Sequence, residues 1–524
     1  MTHSITIEKP AALSADTLPF SQFLLAFLAG ILLPLSFAPF HVPGAAFLSI
    51  ALFYVQLTNV KNRHAFFCGL FFGLGFFGLG TSWVYVSIHQ YGHLNCLISA
   101  LITLLFLLYL SLFSAFMAFI FKKLIIPANI LFSCLFFASL WVLFEYLRAT
   151  LLSGFPWLLL GYGQFDTPLK YLLPILGVFG VSFLTCFAAT ILAVSMQVKG
   201  KQRILWITLF VAILVAPLLL KNIIWSKNSG AALSVGVIQA NLSMRDKWDE
   251  TLFWQLLERY KQDTQELLGI QLIVMPESAI PLPPSYIEDF LTDMHRKAKR
   301  AGSAIMLGIP KPTTSEEDYY FNALISLGKA HGSYLKQHLV PFGEYIPKPF
   351  QTLSNWLAIP NANLKPGNKQ QKLVKVHQHS IATLICYELA YGDLLRQQLP
   401  QAEWIVSISD SGWFGHSLAR YQQLQMAQVR SLETARYQVV ANNDGLSSII
   451  NNRGEIESIL PAFNSGLLKG ELIPTTGLTP WVYWGNSPAL LFCALITLVY
   501  VSYRIIKQKS IAEEDKRRYP YLPY

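Results

Sequence analysis

"LITLLFLLYLSLFSAFMAFIFKK", residues 101–123, runs 21 residues without a charge and stops at Lys122 and Lys123. A helix crosses a hydrocarbon layer about 30 Å thick in about 20 apolar residues, so this stretch reads as a membrane span. The lysines at its end mark the cytoplasmic side, where short loops collect positive charge. Working outward from it, apolar runs of similar length occur at about 21–38, 43–59, 65–88, 94–121, 128–147, 171–197 and 204–224, and again at 487–505. The 524-residue chain is 53% hydrophobic, 14% aromatic and only 13% charged, which is a membrane-protein composition. The first 20 residues carry one lysine and no cleavage signature, and are expected to form a tail leading into an uncleaved span.

Lys61 and Arg63 follow the second span, Lys122 and Lys123 the fourth, and Lys199, Lys201 and Arg203 the sixth. The tail after the eighth adds Arg504, Lys507, Lys509, Lys516, Arg517 and Arg518, whereas "APFHVPG" and "HQYGH", after spans 1 and 3, hold neither Lys nor Arg. Alternate loops are therefore basic, which places both termini inside and residues 226–486 outside. The loop after span 5, with Arg148 and Lys170, is the one exception. The net charge of +10 follows largely from these loops and is a topology signal, so no nucleic-acid partner is expected. Glu145 and Arg148 lie within or beside a span; such residues are candidates for function, or for an ion pair that fixes helix packing.

The outside segment has ordinary polarity. Strand-like runs such as "ALSVGVIQANL" (232–242), "IQLIVMPESAI" (270–280), "SAIMLGIP" (303–310), "HSIATLICYEL" (379–389) and "AEWIVSISD" (402–410) alternate with helical patterns at 249–268, 285–301 and 418–436. This alternation predicts one α/β domain with a buried, largely parallel or mixed sheet. The expected organisation is 1–225, about seven transmembrane helices; 226–486, an extracytoplasmic domain; and 487–524, a last span with a basic tail.

Five of the six cysteines, Cys68, Cys96, Cys134, Cys186 and Cys493, lie in or beside apolar spans, and Cys386 is alone in the outside segment. It is either a buried packing residue or a nucleophile. Glu277 follows an apolar strand and Pro276, at the kind of strand end where open α/β sheets gather ligands. Lys336 and Glu344 sit in "YLKQHLVPFGEYIP", whose prolines and glycine favour an ordered loop, and Glu388 follows Cys386 in "LICYE". Taken singly, Glu277 reads equally as a helix cap, Lys336 as a solvated charge and Glu388 as a surface acid. As a set they hold what acyl transfer through a thiol requires: a nucleophile, a base and a cation for the developing oxyanion. His331, His338, His377, His379 and His416 remain open as the base.

"MPESAIP", "YLKQHLVPFGEYIP" and "ICYE" resemble the Glu, Lys and Cys motifs of the nitrilase superfamily of carbon–nitrogen hydrolases, and "SDSGWFG" and "ARYQVVANNDGLSSIINNRGEI" resemble its later segments. Together with the spans, "WVLFEYLRATLLSGFPW" and "IPTTGLTPWVYWGN", the pattern is similar to the membrane-bound bacterial apolipoprotein N-acyltransferase family. The resemblance implies a polytopic α-helical membrane domain of about eight spans plus a nitrilase-like αββα sandwich. It implies Cys386 as nucleophile, Glu277 as general base and Lys336 as stabiliser of the tetrahedral intermediate. Glu344, Tyr387 (through its backbone N–H) and Glu388 would support them, with Trp248, Asn322 and Trp413 near the substrate. Ser411–Gly412 departs from the Asp/Asn–Ala often found before that tryptophan.

The activity so implied moves a fatty acyl chain from the sn-1 position of a phospholipid, phosphatidylethanolamine in this family, through a cysteine thioester. The acceptor is the α-amino group of a diacylglyceryl cysteine on an apolipoprotein. No cofactor or metal is expected, and the resemblance implies a monomer in the bacterial inner membrane with the catalytic domain on the periplasmic side. Two alternatives stay open: a membrane-anchored amidase, and a non-catalytic binding module on the same fold. The apolar loop "FQTLSNWLAIPNANL" (350–364) is a candidate lid for lipid entry.

Overall fold

The computed structural model describes residues 19–92, 94–126, 129–313, 319–352 and 363–518. The N-terminal tail and positions 353–362 of the candidate lid lie outside the described residues. The chain divides into two compact units, one made of residues up to 82, 101–222 and 486 onward, the other of 83–100 with 223–485.

In the first unit, six helices among the described residues are long and apolar enough to cross a membrane: Asn62–Thr81, Cys96–Leu124, Ile130–Ser153, Pro168–Gln197, Gly200–Leu220 and Ser487–Ser510. The first two expected spans are shorter helices, Pro19–Leu32, continued by a 3-10 turn Leu33–Ser36, and Pro43–Asn59. The third expected span stops at Thr81 rather than 88, and the chain continues through a short helix and a π-helical turn, Ser87–Tyr91. Hydrophobic association cannot drive helices together in lipid, so close packing of small residues does. Gly69 and Gly73 form a G-x-x-x-G pair: a Cβ on Gly69 would lie 2.4 Å from the Ser114 carbonyl oxygen, and one on Gly73 2.7 Å from Ser111 Cα.

Glu145 and Arg148 are both buried. Arg148 donates to the carbonyls of Phe155 and Trp157, each at 2.7 Å, while Glu145 Oε1 accepts the Leu160 N–H at 2.8 Å. These side chains tie down residues 155–160. Lys170 lies over the rings of Phe165 and Tyr171. The one loop that breaks the charge rule therefore holds cations engaged by the protein, with a local role of their own.

The second unit is a two-sheet sandwich, with β1 (Lys227–Asn228) and β15 (Thr475–Thr476) forming a separate antiparallel pair. One sheet has the order β14 (Gly466–Leu472), β2 (Leu233–Gln239), β3 (Leu272–Val274), β4 (Ala304–Pro312), β5 (Tyr320–Gly328) and β7 (Ser333–Leu335). The other runs β13 (Ile456–Ile459), β12 (Ser448–Ile450), β11 (Gln438–Asn442), β10 (Trp404–Ser409), β9 (His379–Ile385), β8 (Val374–Val376) and β6 (Ala330–His331). The centres, β2–β3–β4 and β9–β10–β11, are parallel and their flanks antiparallel. Residues of period two from both sheets, including Val235, Val237, Val274, Met306, Ile381, Ile385, Val406 and Ile408, close one buried core. The opposite faces of β2, β3 and β4 pack Ile238, Ile273, Ile305 and Leu307 against Leu256, Leu257 and Tyr260 of helix Phe253–Leu267 and Leu291 and Met294 of helix Glu288–Ala301. Helix Ala419–Thr434 is buried along most of its length and covers the second sheet at β11 and β12. The result is the αββα sandwich that the resemblance implied, built from the mixed sheets expected from the alternation of strand and helix.

The close approach at Gly69 makes a direct prediction. Gly69→Val forces apart the helix carrying Ser114, and overpacking of this kind costs about 1–3 kcal/mol. The purified protein in detergent is expected to melt at a lower temperature, and an unchanged melting temperature would contradict this packing.

Candidate active site

Four strand ends supply the site. In the first sheet, Glu277 follows β3, Lys336 follows β7 and Asn322 stands on β5; in the second, Cys386 follows β9 and Asp410 follows β10. The Met275 N–H bonds the Met306 carbonyl at 2.9 Å and the Gly308 N–H bonds the Pro276 carbonyl at 3.2 Å, so the chain stays beside β4 until Glu277 turns away. Gly308 makes this possible, because a Cβ there would lie 2.7 Å from Glu277 Cα and 2.6 Å from the Ser278 nitrogen.

Lys336 is 1% exposed. An ammonium buried this deeply needs counter-charges, and it has two: Glu344 Oε1 at 2.8 Å and Glu277 Oε1 at 3.3 Å. Burial works against its charge, but Glu277 and Glu344 outweigh it and hold the lysine pKa well above the ordinary value. Asn322 Nδ2 bridges the same oxygens, at 2.7 Å from Glu277 and 3.0 Å from Glu344. The backbone N–H of Val340 holds Glu344 Oε2 at 2.8 Å, and that of Asp410 holds Glu277 Oε2 at 3.0 Å. Each carboxylate is thus fixed at both oxygens.

Cys386 opens the 3-10 turn Cys386–Ala390 with φ +54°, a left-handed conformation that costs a side-chain-bearing residue about 1–3 kcal/mol. Glu388 holds the turn in place. Its Oε2 accepts the Ile385 N–H at 2.8 Å, while Oε1 accepts the N–H groups of Gln337 (2.6 Å) and His338 (3.1 Å) and the Tyr334 hydroxyl (3.1 Å). Burial pushes the Glu388 carboxyl up to about 7, against the pull of those backbone donors. This buried acid ties the cysteine turn to the residues following Lys336, so it fixes thiol and ammonium with respect to each other; it is not a surface acid. Tyr387 is buried, its ring beside His338 and Tyr391.

Burial raises the Cys386 thiol well above the ordinary value, Glu277 and Glu344 raise it further, and Lys336 alone pulls it down. Of the charges around it, Glu277 therefore weighs most against the thiolate and Lys336 for it. The histidines are engaged elsewhere: His379 pairs with Glu403, His377 faces the Gln271 carbonyl, His338 stacks on Tyr391, His416 stacks on Phe463 and His331 is exposed on β6. None of these five rings takes part in the Lys336 cluster, whose acids are Glu277 and Glu344.

Trp248 and Trp413 are 54% and 42% exposed. The segment 83–100 packs on the turn carrying Trp413: Ser87 donates to the Trp413 carbonyl at 2.7 Å, Tyr91 meets the Trp413 ring edge-on, and Trp83 meets Phe414. At Gly412 a Cβ would meet Met244 Cγ at 2.9 Å and Asp410 Oδ1 at 3.1 Å, so the departure from the family pattern makes room for Met244. Lys247 and Asp410 escaped sequence reading. Asp410 ends an apolar strand just as Glu277 does, and that signal would have found it; Lys247, in "MRDKWD", reads as a solvated charge.

These charges predict a pH dependence. A raised thiol pKa means less thiolate at neutral pH than a free cysteine has, so iodoacetamide labelling of the Cys386 peptide should be slow at pH 7. It should still be climbing beyond the ordinary thiol value of 9.0. Lys336→Met removes the one group that favours thiolate and should slow labelling further. A plateau already reached at neutral pH would contradict the charge balance.

Residues 29–191 match the family described as apolipoprotein N-acyltransferase N-terminal domain, and residues 234–478 match the carbon–nitrogen hydrolase family. Relatives include the apolipoprotein N-acyltransferase of Coxiella burnetii, 37% identical over 470 residues, spanning 89% of this chain and 97% of the relative. Those of Pseudomonas syringae pv. tomato and Pseudomonas aeruginosa are each 36% identical, over 480 and 486 residues, spanning 90% of this chain and 95% of the relative. With membrane-length helices, a carbon–nitrogen hydrolase sandwich and this similarity along almost its whole length, the chain belongs to the apolipoprotein N-acyltransferase family.

Proposed function

We propose that this enzyme transfers a fatty acyl chain from a phospholipid to the α-amino group of the S-diacylglyceryl cysteine of lipoproteins, through a thioester on Cys386. The observation that carries the reading is the convergence of Cys386, Glu277, Lys336 and Glu344 in one buried charge cluster on a chain whose other half is apolar helices. In the first half-reaction the sulfur attacks the sn-1 ester carbonyl as its proton passes to Glu277. Lys336 Nζ and the backbone N–H of Tyr387 face the oxyanion. The intermediate collapses with loss of the lysophospholipid alkoxide, which takes the proton back from Glu277. In the second, the lipoprotein amine attacks the thioester and Glu277 accepts its proton; the C–S bond then breaks as the amide forms, and the leaving sulfur takes that proton from Glu277 to restore the thiol. The covalent intermediate makes the kinetics ping-pong.

In this reading Glu344 and Asn322 orient Lys336 and Glu277, Glu388 fixes the cysteine turn, and Trp248 and Trp413 line the approach of the lipids. The protein acts as a monomer in the inner membrane with its catalytic unit on the periplasmic side, where lipoprotein amines are presented. Membrane anchoring speaks for this activity over a soluble-substrate amidase. Both substrates carry acyl chains, and drawing either chain into water costs about 0.8 kcal/mol per CH₂.

The test is product analysis with purified protein, phosphatidylethanolamine labelled at sn-1, and a diacylglyceryl lipopeptide. Label is expected in an amide on the lipopeptide, and none when it is placed at sn-2 instead. Cys386→Ala should abolish transfer, and Lys336→Met should lower kcat by about 10²–10³, the usual loss for an oxyanion donor. Label released only as free fatty acid would mean hydrolysis in place of transfer and would contradict the transferase reading, and transfer surviving in Cys386→Ala would overturn the mechanism.

A further inference from the structure

The base proposed above rests on a second, separate ion pair. Lys247, at the end of the short helix Met244–Lys247, and Asp410, at the end of β10, meet at 2.5 Å with side chains 1% and 5% exposed. They come from positions 163 apart in sequence. Lys247 Nζ also donates to the Glu277 carbonyl at 3.0 Å, and the Asp410 N–H donates to Glu277 Oε2 at 3.0 Å. The pair therefore grips Glu277 at backbone and carboxylate. Asp410 is held in turn by the Gly412 N–H at 3.1 Å and by Asn443 Nδ2 at 3.2 Å, both on Oδ1.

A buried ion pair adds little net stability, and apolar residues of similar volume often do as well. Its contacts here point to another use. Glu277 faces Lys336, Glu344 and the Cys386 thiol on one side and the Lys247–Asp410 pair on the other. Beyond Asp410 lie Tyr260, Tyr91 and Asp444, with Arg420 facing Asp444. The carboxylates of Glu277, Glu344 and Asp410 stand against the ammoniums of Lys336 and Lys247, which leaves one net negative charge to receive the proton of the sulfur. Without Lys247 a second uncompensated charge stands next to Glu277, and the base would hold a proton before the thiol delivers one.

We infer that Lys247 and Asp410 are positioning residues for the reaction: they fix the orientation of the Glu277 carboxylate and keep it unprotonated until Cys386 attacks. The inference rests on Glu277 being the base. The pair also joins the base to the segment that carries Trp248, one residue on from Lys247.

The experiment compares full-length wild type, Lys247→Met, Lys247→Arg and the double variant Lys247→Met/Asp410→Asn in detergent with phospholipid and diacylglyceryl lipopeptide, following kcat, KM and the pH profile of kcat/KM. Lys247→Met should lose at least about tenfold in kcat with KM little changed, and move the acidic limb of the profile up by roughly one pH unit. Lys247→Arg should recover part of kcat. The double variant keeps the charge balance and leaves no lone buried acid, so it should return the acidic limb to the wild-type position while kcat stays low, because the Lys247 bond to the Glu277 carbonyl is lost; that kcat tests the grip on Glu277 even if the single variant does not fold. An acidic limb that stays put in Lys247→Met, a displaced limb in the double variant, or a wild-type kcat in either variant would overturn the inference. Glu277→Gln separates the two readings: if it still forms acyl-enzyme at the wild-type rate, the assignment of the base fails, whereas if it is inactive and the Lys247 variants leave the profile unmoved, only the positioning role fails.

Discussion

The site depends on one electrostatic constraint: the ammonium of Lys336 is buried, and a buried cation persists only with opposing charge close by. Glu277 and Glu344 provide it at 3.3 and 2.8 Å, and much of the local structure secures them. Asn322 bridges the two acids, backbone N–H groups of Val340 and Asp410 hold the outer oxygens, and Gly308 lets the chain bearing Glu277 lie against β4. Glu388 brings the cysteine turn to the same place by binding amides on both sides of the gap between the sheets. The cysteine turn, from the second sheet, thus meets charges seated in the first.

The same constraint shapes the chemistry. Burial first, and then two carboxylates against one ammonium, hold the Cys386 thiol well above its ordinary value, so in the proposed mechanism the sulfur becomes nucleophilic as its proton moves to Glu277. In that mechanism Lys336, which favours negative charge on the sulfur, faces the oxyanion as well and serves both half-reactions without changing its own protonation.

Much of this is legible in the sequence, for physical reasons. Apolar runs announce helices because lipid leaves no other way to satisfy the backbone, and Glu277 and Cys386 stand out because each ends an apolar strand. What stays hidden is what depends on partners far away in the chain. Arg148 counts as a loop charge until its carbonyl partners at Phe155 and Trp157 are seen. The third span looks continuous to 88, yet its helix ends at Thr81 and the following residues belong with the catalytic unit. Five histidines compete for the role of base until the fold engages each elsewhere or leaves it on the surface. Lys247 passes for a solvated residue because Asp410 lies 163 positions on.

The central claim is that Cys386 carries the acyl chain between two lipids, and intact-mass spectrometry of the enzyme tests it most directly. Incubated with phospholipid alone, the wild-type protein should gain the mass of one fatty acyl group, mapped to the Cys386 peptide, absent from Cys386→Ser, and discharged as an amide when a diacylglyceryl lipopeptide is added. Wild-type protein that transfers acyl chains at full rate while never carrying such an adduct would contradict the account.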